Sequence, residues 1–322
     1  LCDRRQRQMC IRDSVKASNF TPFIPPSQPA STVEGSSAVT GVMTQPLWQF
    51  ATGMTPSVYG VPGILSGAAL VFFAFIGFDV VATASEETKN PHKNVPLGIG
   101  VGMLLIIVMY MLVAVVTTGM VSYADLAKQD SPSLATAFEL VGADWAAKII
   151  SFGIVLGLAT VVMVLLLGLT RIVFAMSRDG LLPRGLSKTG KHGTPAALQI
   201  VVGAVVALVA AFFDIGVLSD MVNIGTLSAF TLVAISIPIM RKKRPDLPRA
   251  FKMPGSPWIP ILIAVANFWL MLNLSVLTWI RFVVWLVVGF AIYFGYGYWH
   301  ARLGKGDLTE TLSAETDKAV NG

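Results

Sequence analysis

The stretch that decides the fold reads Phe72-Phe-Ala-Phe-Ile-Gly-Phe-Asp79 and lies within an apolar run at 64–84. Gly77 and Asp79 interrupt this run just past its middle. A carboxylate at bilayer depth costs about 2.5–3.5 kcal/mol on insertion scales, and a glycine lowers helix propensity by up to about 1 kcal/mol. The pattern fits a helix broken near Gly77. A continuous helix with a small packing glycine is the alternative.

The composition of the whole chain indicates an all-α integral membrane protein. Of its 322 residues, 54% are hydrophobic and 13% are charged, whereas an average soluble protein has about 25% charged residues. So few charges cannot cover the surface of a soluble domain. The two cysteines, Cys2 and Cys10, allow neither a disulfide framework nor a cysteine-based metal site. Soluble dinucleotide-binding enzymes, zinc fingers and secreted disulfide scaffolds are therefore excluded.

Seven apolar segments are long enough to be transmembrane helices, since a bilayer span needs about 20 mostly apolar residues. Each carries one continuous apolar run, which does not fit the alternating strands of an outer-membrane barrel. The segments are 64–84, 97–120, 147–176, 196–213, 217–240, 259–277 and 282–301.

The positive charges between these segments predict the orientation. The connections after the first, third and fifth segments, with the tail after the seventh, hold 15 Lys and Arg residues. The opposite side holds only Lys128, Arg281 and Lys148, the last at the outer end of the third segment. Because cytoplasmic loops are enriched in Lys and Arg, the C-terminus is predicted to be cytoplasmic and the N-terminus extracellular. The predicted location is the plasma membrane.

The predicted organisation has four parts. Residues 1–14 carry four arginines on the predicted outside, which is unfavourable, and they are interpreted as a non-native leader. The stretch 15–63 is rich in Pro, Ser, Gly and Thr and is predicted to be an extended extracellular loop. Residues 64–303 form the transmembrane domain of seven helices, and 304–322 form a disordered cytoplasmic tail.

The helix break gives the first indication of function. Discontinuous membrane helices line substrate sites in secondary transporters, because unwound backbone at that depth is tolerated only against protein or a water-filled cavity. HExxH, GxSxG and P-loop motifs are missing from the sequence, so neither an enzyme nor ATP-driven transport is expected. No cofactor and no metal is predicted. The net charge of +6 is attributed to cytoplasmic loops rather than to nucleic-acid binding.

Four motifs resemble the cationic amino acid transporter family of the amino acid–polyamine–organocation superfamily. The stretch 72–79, followed by Ala84-Ser-Glu-Glu-Thr-Lys-Asn-Pro91, is similar to the sixth helix and next loop of that family. Thr170-Arg-Ile-Val-Phe-Ala-Met-Ser-Arg-Asp-Gly-Leu-Leu-Pro183 resembles the end of its eighth helix. Asn223-Ile-Gly-Thr-Leu227 resembles its tenth helix, and Arg249-Ala-Phe-Lys-Met-Pro-Gly-Ser-Pro-Trp-Ile-Pro260 resembles the loop before its eleventh.

The resemblance covers about Val15 to Arg302, in order, and implies a leucine-transporter-like fold. That fold has two inverted repeats of five helices plus two further helices. The seven segments correspond to helices six through twelve, so the chain is expected to be an N-terminally truncated fragment that is inactive alone. Residues 1–14 match nothing in the family.

The resemblance also implies a substrate site at the break. Backbone carbonyls of Phe73, Ala74 and Ile76 would receive the substrate's α-ammonium group. Gly77 would permit the unwinding, and Phe78 would be the aromatic that shuts the outer path.

Three further residues are assigned supporting roles. Asp79 follows the break and is expected to help hold it by hydrogen bonding. Thr160 or Met163 on the third segment would line the other wall of the site.

The resulting hypothesis is a secondary active amino-acid permease that works by alternating access, proton-linked or as an exchanger. Its partners would be an amino-acid substrate, the lipid bilayer and protons as a coupling ion. A seven-helix membrane receptor and a non-transporting remnant are the alternatives. The sequence leaves the identity of the amino acid open.

Overall fold

The computed structural model describes residues 16–30, 41–83, 88–129, 133–187, 195–245, 255 and 257–301. The predicted leader 1–14 and the predicted tail 304–322 lie outside the described residues.

The described part of 15–63 has more regular structure than the predicted extended loop. It contains two short strands that pair antiparallel, with Gln28 opposite Val58 and Pro29 opposite Ser57. In chain order, the elements are a 3₁₀ turn at Ala17–Phe20, strand β1 at Gln28–Pro29, helix α1 at Leu47–Thr52 and strand β2 at Ser57–Val58.

After β2, the described part of the chain is mostly helical. Short 3₁₀ turns occur at Phe72–Phe75 and Arg184–Ser187, and a π-helical turn occurs at Tyr293–Gly297. The α-helices are α2 Gly60–Val71, α3 Phe78–Thr83, α4 Pro91–Met120, α5 Tyr123–Ala127, α6 Leu134–Leu140, α7 Asp144–Arg178, α8 Ala196–Phe212, α9 Ile215–Lys243, α10 Trp258–Leu272, α11 Val276–Ile292 and α12 Tyr298–His300.

The described helices include four that are long and apolar enough to cross a membrane, at Lys93–Met120, Asp144–Arg178, Ile215–Lys243 and Val276–His300. Shorter apolar helices lie at Gly60–Phe75, Ala196–Phe212 and Trp258–Leu272. Apolar helices therefore occupy all seven predicted segments. The number of spans that cross the membrane stays a prediction, because three of these helices are shorter than the roughly 20 residues of a typical span.

Helix boundaries differ from the predicted ones where proline or a cap decides them. Helix α4 begins at Pro91 rather than at 97, because Pro91 occupies the first turn, where the missing N–H has no partner to lose. Pro96 is accommodated inside the helix. The segment predicted at 259–277 is two elements, since α10 ends at Leu272 and Ser275 caps the start of α11.

The chain divides into two compact units. The first comprises Leu1–Val161 and Val222–Trp279. A small buried cluster in it joins Met120 and Val121 at the end of α4 to Ala137 of α6. Leu126, Phe138 and Val141 pack against this cluster.

In the same unit, the segment before α1 lies along the start of α11. The backbone N–H of Val276 donates to the Gln45 carbonyl at 3.1 Å, and that of Leu277 donates to the Met43 carbonyl at 2.8 Å. These bonds satisfy donors that the first turn of a helix otherwise leaves without a partner.

The second unit comprises Val162–Met221 and Ile280–Gly322. Here the turn after α7 packs against the chain's last described residues. Gly180 in this turn has φ +83° and lies against the backbone of His300. Ser177 is fully buried, and its hydroxyl donates to the Pro183 carbonyl at 2.6 Å, which closes the turn.

Candidate functional site

The helix that starts at Gly60 is broken where the sequence predicts it. After α2, the backbone tightens into the 3₁₀ turn Phe72–Phe75. Ile76 is extended, with φ −66° and ψ 136°, and Gly77 has φ +123°. Helix α3 then starts at Phe78. A side chain disfavours the backbone angle of Gly77, so the glycine at this position permits the change of direction.

The break leaves backbone carbonyls outside regular helical hydrogen bonding. The Phe73 carbonyl accepts the N–H of Ile76 at 3.2 Å, as in a tight turn. None of the described residues donates a hydrogen bond to the carbonyl oxygen of Ile76. The segment therefore presents at least one carbonyl able to receive an external donor.

A residue of α4 contacts the break on one side. The Tyr110 hydroxyl donates to the Ala74 carbonyl at 3.0 Å. The ring of Tyr110 meets the ring of Phe75 edge-on, with centroids 5.2 Å apart and an interplanar angle of 67°. Edge-to-face pairs at this spacing are favourable. Tyr110 is thus joined to the 3₁₀ turn by a hydrogen bond and by an aromatic contact.

A residue of α9 contacts the break from both of its ends. The ring of Phe230 lies 6.2 Å from that of Phe72 and 5.3 Å from that of Phe78. Phe72 precedes the unwound residues and Phe78 follows them, so one side chain spans the interruption.

The structure brings five of the predicted site residues together because they are consecutive or nearly so: Phe73, Ala74, Ile76, Gly77 and Phe78. Asp79 is the second residue of α3. The predicted second-wall residues lie in the middle of α7. The Thr160 hydroxyl donates within its own helix, to the Gly157 carbonyl at 2.7 Å, and Met163 is exposed. Their role stays a prediction.

Two residues of the site are absent from the sequence-based prediction, namely Tyr110 and Phe230. Tyr110 is the only residue with a hydroxyl or amide side chain between Met103 and Val116. A single polar group in an apolar run is the sequence feature that could have indicated a role for Tyr110. For Phe230 no such signal exists, because phenylalanines are frequent throughout the apolar segments.

A family model described as amino acid permease matches residues 21–297. The chain belongs to the amino acid permease family. The resemblance stated from the sequence is thereby confirmed, and the apolar helices agree with a multi-pass membrane protein.

Curated relatives include transporters for different solutes. The branched-chain amino acid permease BcaP of Bacillus subtilis (strain 168) is 47% identical over 247 residues, which cover 76% of this chain and 53% of the relative. The methylthioribose transporter of the same organism is 43% identical over 248 residues, which cover 77% of this chain and 53% of the relative. Cationic amino acid transporter 3, mitochondrial, of Arabidopsis thaliana is 45% identical over 195 residues, covering 60% and 31%.

The chain spans about half the length of the two Bacillus relatives. The family and these relatives are transporters rather than enzymes, as the sequence predicts. Family membership also counts against the seven-helix receptor, because the matched proteins are permeases and transporters.

Proposed function

We propose that this chain takes part in secondary active amino-acid transport and that the substrate binds at the helix break. The α-ammonium group would be received by the carbonyls of Phe73, Ala74 and Ile76. The observation that carries the proposal is the break itself, in which Gly77 has φ +123° and the Ile76 carbonyl has no donor among the described residues. An ammonium group supplies up to three N–H donors to such oxygens.

The residues after the break would complete the site. Phe78 would close the outer path, and its ring rests against Phe230. Asp79 would help hold the break, since the first turn of a helix favours a negative charge through the helix dipole. Thr160 or Met163 of α7 would form the second wall.

The proposed mechanism is alternating access in a leucine-transporter-like carrier of two five-helix inverted repeats plus two helices, of which the seven segments of this chain would supply helices six through twelve. Broken helices in such folds bind solute near the bilayer midplane. Transport would be proton-linked or exchange, at the plasma membrane, with the C-terminus in the cytoplasm.

An amino acid is the favoured substrate because the exposed backbone oxygens select for a hydrogen-bond donor of positive charge. Two relatives are named as transporters of branched-chain and of cationic amino acids. Both kinds of solute carry an α-ammonium group. Methylthioribose has no α-ammonium group, although the transporter named for it is 43% identical. A panel of leucine, arginine and methylthioribose would therefore separate the substrate classes.

The test is binding and uptake in proteoliposomes by a carrier of the relatives' full length that contains this chain, because the chain by itself is expected to be inactive. Labelled leucine and arginine are offered with an inward proton gradient, without it, and with unlabelled amino acid preloaded. Saturable uptake that increases with the gradient supports proton coupling, and uptake that requires preloading supports exchange. Absence of saturable binding and uptake of both amino acids by the full-length carrier, or its uptake of methylthioribose alone, contradicts the proposal.

A further inference from the structure

The apolar middle of α4 carries a single hydroxyl, and it is directed at the helix break. Tyr110 lies in the run Met103-Leu-Leu-Ile-Ile-Val-Met-Tyr-Met-Leu-Val-Ala-Val-Val116, in which every other residue is apolar. Its hydroxyl lies 3.0 Å from the Ala74 carbonyl oxygen. Since a carbonyl can only accept, Tyr110 is the donor.

The acceptor of this hydrogen bond, the Ala74 carbonyl, is one of the three carbonyls proposed to receive the substrate's ammonium group. Ala74 is inside the 3₁₀ turn Phe72–Phe75, where the backbone has already left α-helical geometry. The bond directs this carbonyl toward α4 and uses one of its two lone pairs. The edge-on contact with Phe75 fixes the ring that carries the hydroxyl.

The three carbonyls are consequently not equivalent. The oxygen of Phe73 accepts the Ile76 N–H at 3.2 Å, and that of Ala74 accepts the Tyr110 hydroxyl. The oxygen of Ile76 has no donor among the described residues. The Ile76 carbonyl is therefore the acceptor with both lone pairs available to a substrate.

We propose that Tyr110 is a positioning residue of the amino-acid site. It holds the Ala74 carbonyl toward α4, and so fixes the unwound segment in the geometry that presents the Ile76 carbonyl to the ammonium group. The inference rests on the proposed function. Without the hydroxyl, the unwound segment can adopt more orientations, so a smaller fraction of the molecules has the orientation that binds substrate. The apparent affinity for the substrate falls in proportion to that fraction.

The functional test is Tyr110→Phe in a full-length carrier that contains this chain; the substitution keeps the ring against Phe75 and removes only the hydroxyl. KM for labelled amino-acid uptake should rise about two- to tenfold, the range expected for loss of one net hydrogen bond, while Vmax is unchanged. Tyr298→Phe is the matched control, since Tyr298 is exposed and its ring contacts Trp299. An unchanged KM, or a fall in Vmax alone, overturns the proposal.

A second measurement does not depend on transport. Amide hydrogen exchange of a peptide covering 72–78 is compared between the unsubstituted chain, Tyr110→Phe and Tyr298→Phe in detergent. Exchange should be faster at the break in Tyr110→Phe only, because the segment loses its attachment to α4. Equal exchange in all three overturns the positioning role. Absence of uptake by the unsubstituted full-length carrier, with faster exchange in Tyr110→Phe, contradicts the proposed function and leaves the positioning of the break supported.

Discussion

The rings of Phe78 and Phe230 lie 5.3 Å apart, and this contact joins the first residue of α3 to the middle of α9. Because Phe230 also meets Phe72 at 6.2 Å, one aromatic side chain contacts residues on both sides of an unwound segment. Unwound backbone has few hydrogen bonds of its own to fix its direction. The angle at the break therefore depends on side chains contributed by other helices.

Phe230→Ala should destabilise the protein by about 1–3 kcal/mol, since two aromatic contacts of about 0.5–1.5 kcal/mol each are lost. The loss also frees Phe78, so amino-acid affinity should fall together with stability. The measurements are denaturant unfolding in detergent micelles and equilibrium binding of a labelled amino acid.

The control for this prediction is Phe212→Ala, because Phe212 is 82% exposed and ends a different helix. It should change both quantities much less. Equal destabilisation by the two substitutions would show that the contacts of Phe230 with the break have no special role.

Gly77→Leu should abolish substrate binding without loss of folded protein. A side chain at φ +123° costs about 1–3 kcal/mol of backbone strain. Apart from its chain neighbours, no atom of the described residues lies within 4 Å of the point that a Cβ would occupy, so the effect is attributed to the backbone rather than to a clash. Relief of the strain would change the direction of the chain at the break, and the carbonyls would turn away from the substrate.

Gly67→Leu is the matched comparison, because Gly67 lies in α2 with equally open surroundings and an ordinary φ. Binding by Gly67→Leu should be close to that of the unsubstituted chain. Binding that survives in Gly77→Leu at full affinity would count against the broken helix as the substrate site.

The break itself could be predicted from sequence because its cause is local. Gly77 and Asp79 interrupt an apolar run, and each is unfavourable in the middle of a membrane helix. The contacts of Tyr110 and Phe230 could not be predicted in this way. They depend on which faces of α4 and α9 pack near the break, and the periodicity of an almost wholly apolar helix does not identify one face.

The same distinction explains the helix boundaries. Helix α4 starts at Pro91 because proline is favoured at the first position of a helix. This is a local rule, and the apolar run by itself does not include it. The end of α10 at Leu272 is less accessible to sequence reasoning, since apolar residues continue into α11. The cap Ser275 and the backbone bonds from 43–45 set the division, and the latter join residues more than 200 positions apart.

Ser275→Ala should destabilise the protein by about 1 kcal/mol, the typical cost of removing a serine N-cap. The Ser275 hydroxyl accepts the N–H of the buried residue Thr278 at 3.2 Å, and alanine removes this hydrogen bond. Ser275→Gly should cost only a few tenths of a kcal/mol, since glycine is tolerated at this position. Denaturant unfolding of both variants measures the difference.

Ser236→Ala provides the control for capping, because Ser236 is exposed and its hydroxyl donates only to the Val233 carbonyl of its own helix. Its unfolding free energy should stay within about 0.5 kcal/mol of the unsubstituted protein. If Ser275→Ala behaves like Ser236→Ala, the hydroxyl of Ser275 does not stabilise the start of α11.

Gly180→Ala should be among the most damaging small substitutions in the second unit. Gly180 has φ +83°, and a Cβ there would lie well inside van der Waals contact with the His300 carbonyl oxygen. Backbone strain alone costs about 1–3 kcal/mol, and the backbone of His300 must also move. We expect a loss of at least about 2 kcal/mol, measured by denaturant unfolding.

Gly185→Ala is the control, and it should change the free energy of unfolding in the opposite direction. Gly185 has an ordinary φ, and a Cβ added to it would have no neighbour within 4 Å among the described residues outside its own turn. Alanine at such a position restricts the unfolded chain and stabilises by about 0.4–1 kcal/mol. The two glycine substitutions, five residues apart, should therefore shift stability in opposite directions. Similar effects of both would mean that the turn after α7 does not pack against His300 as closely as the structure has it.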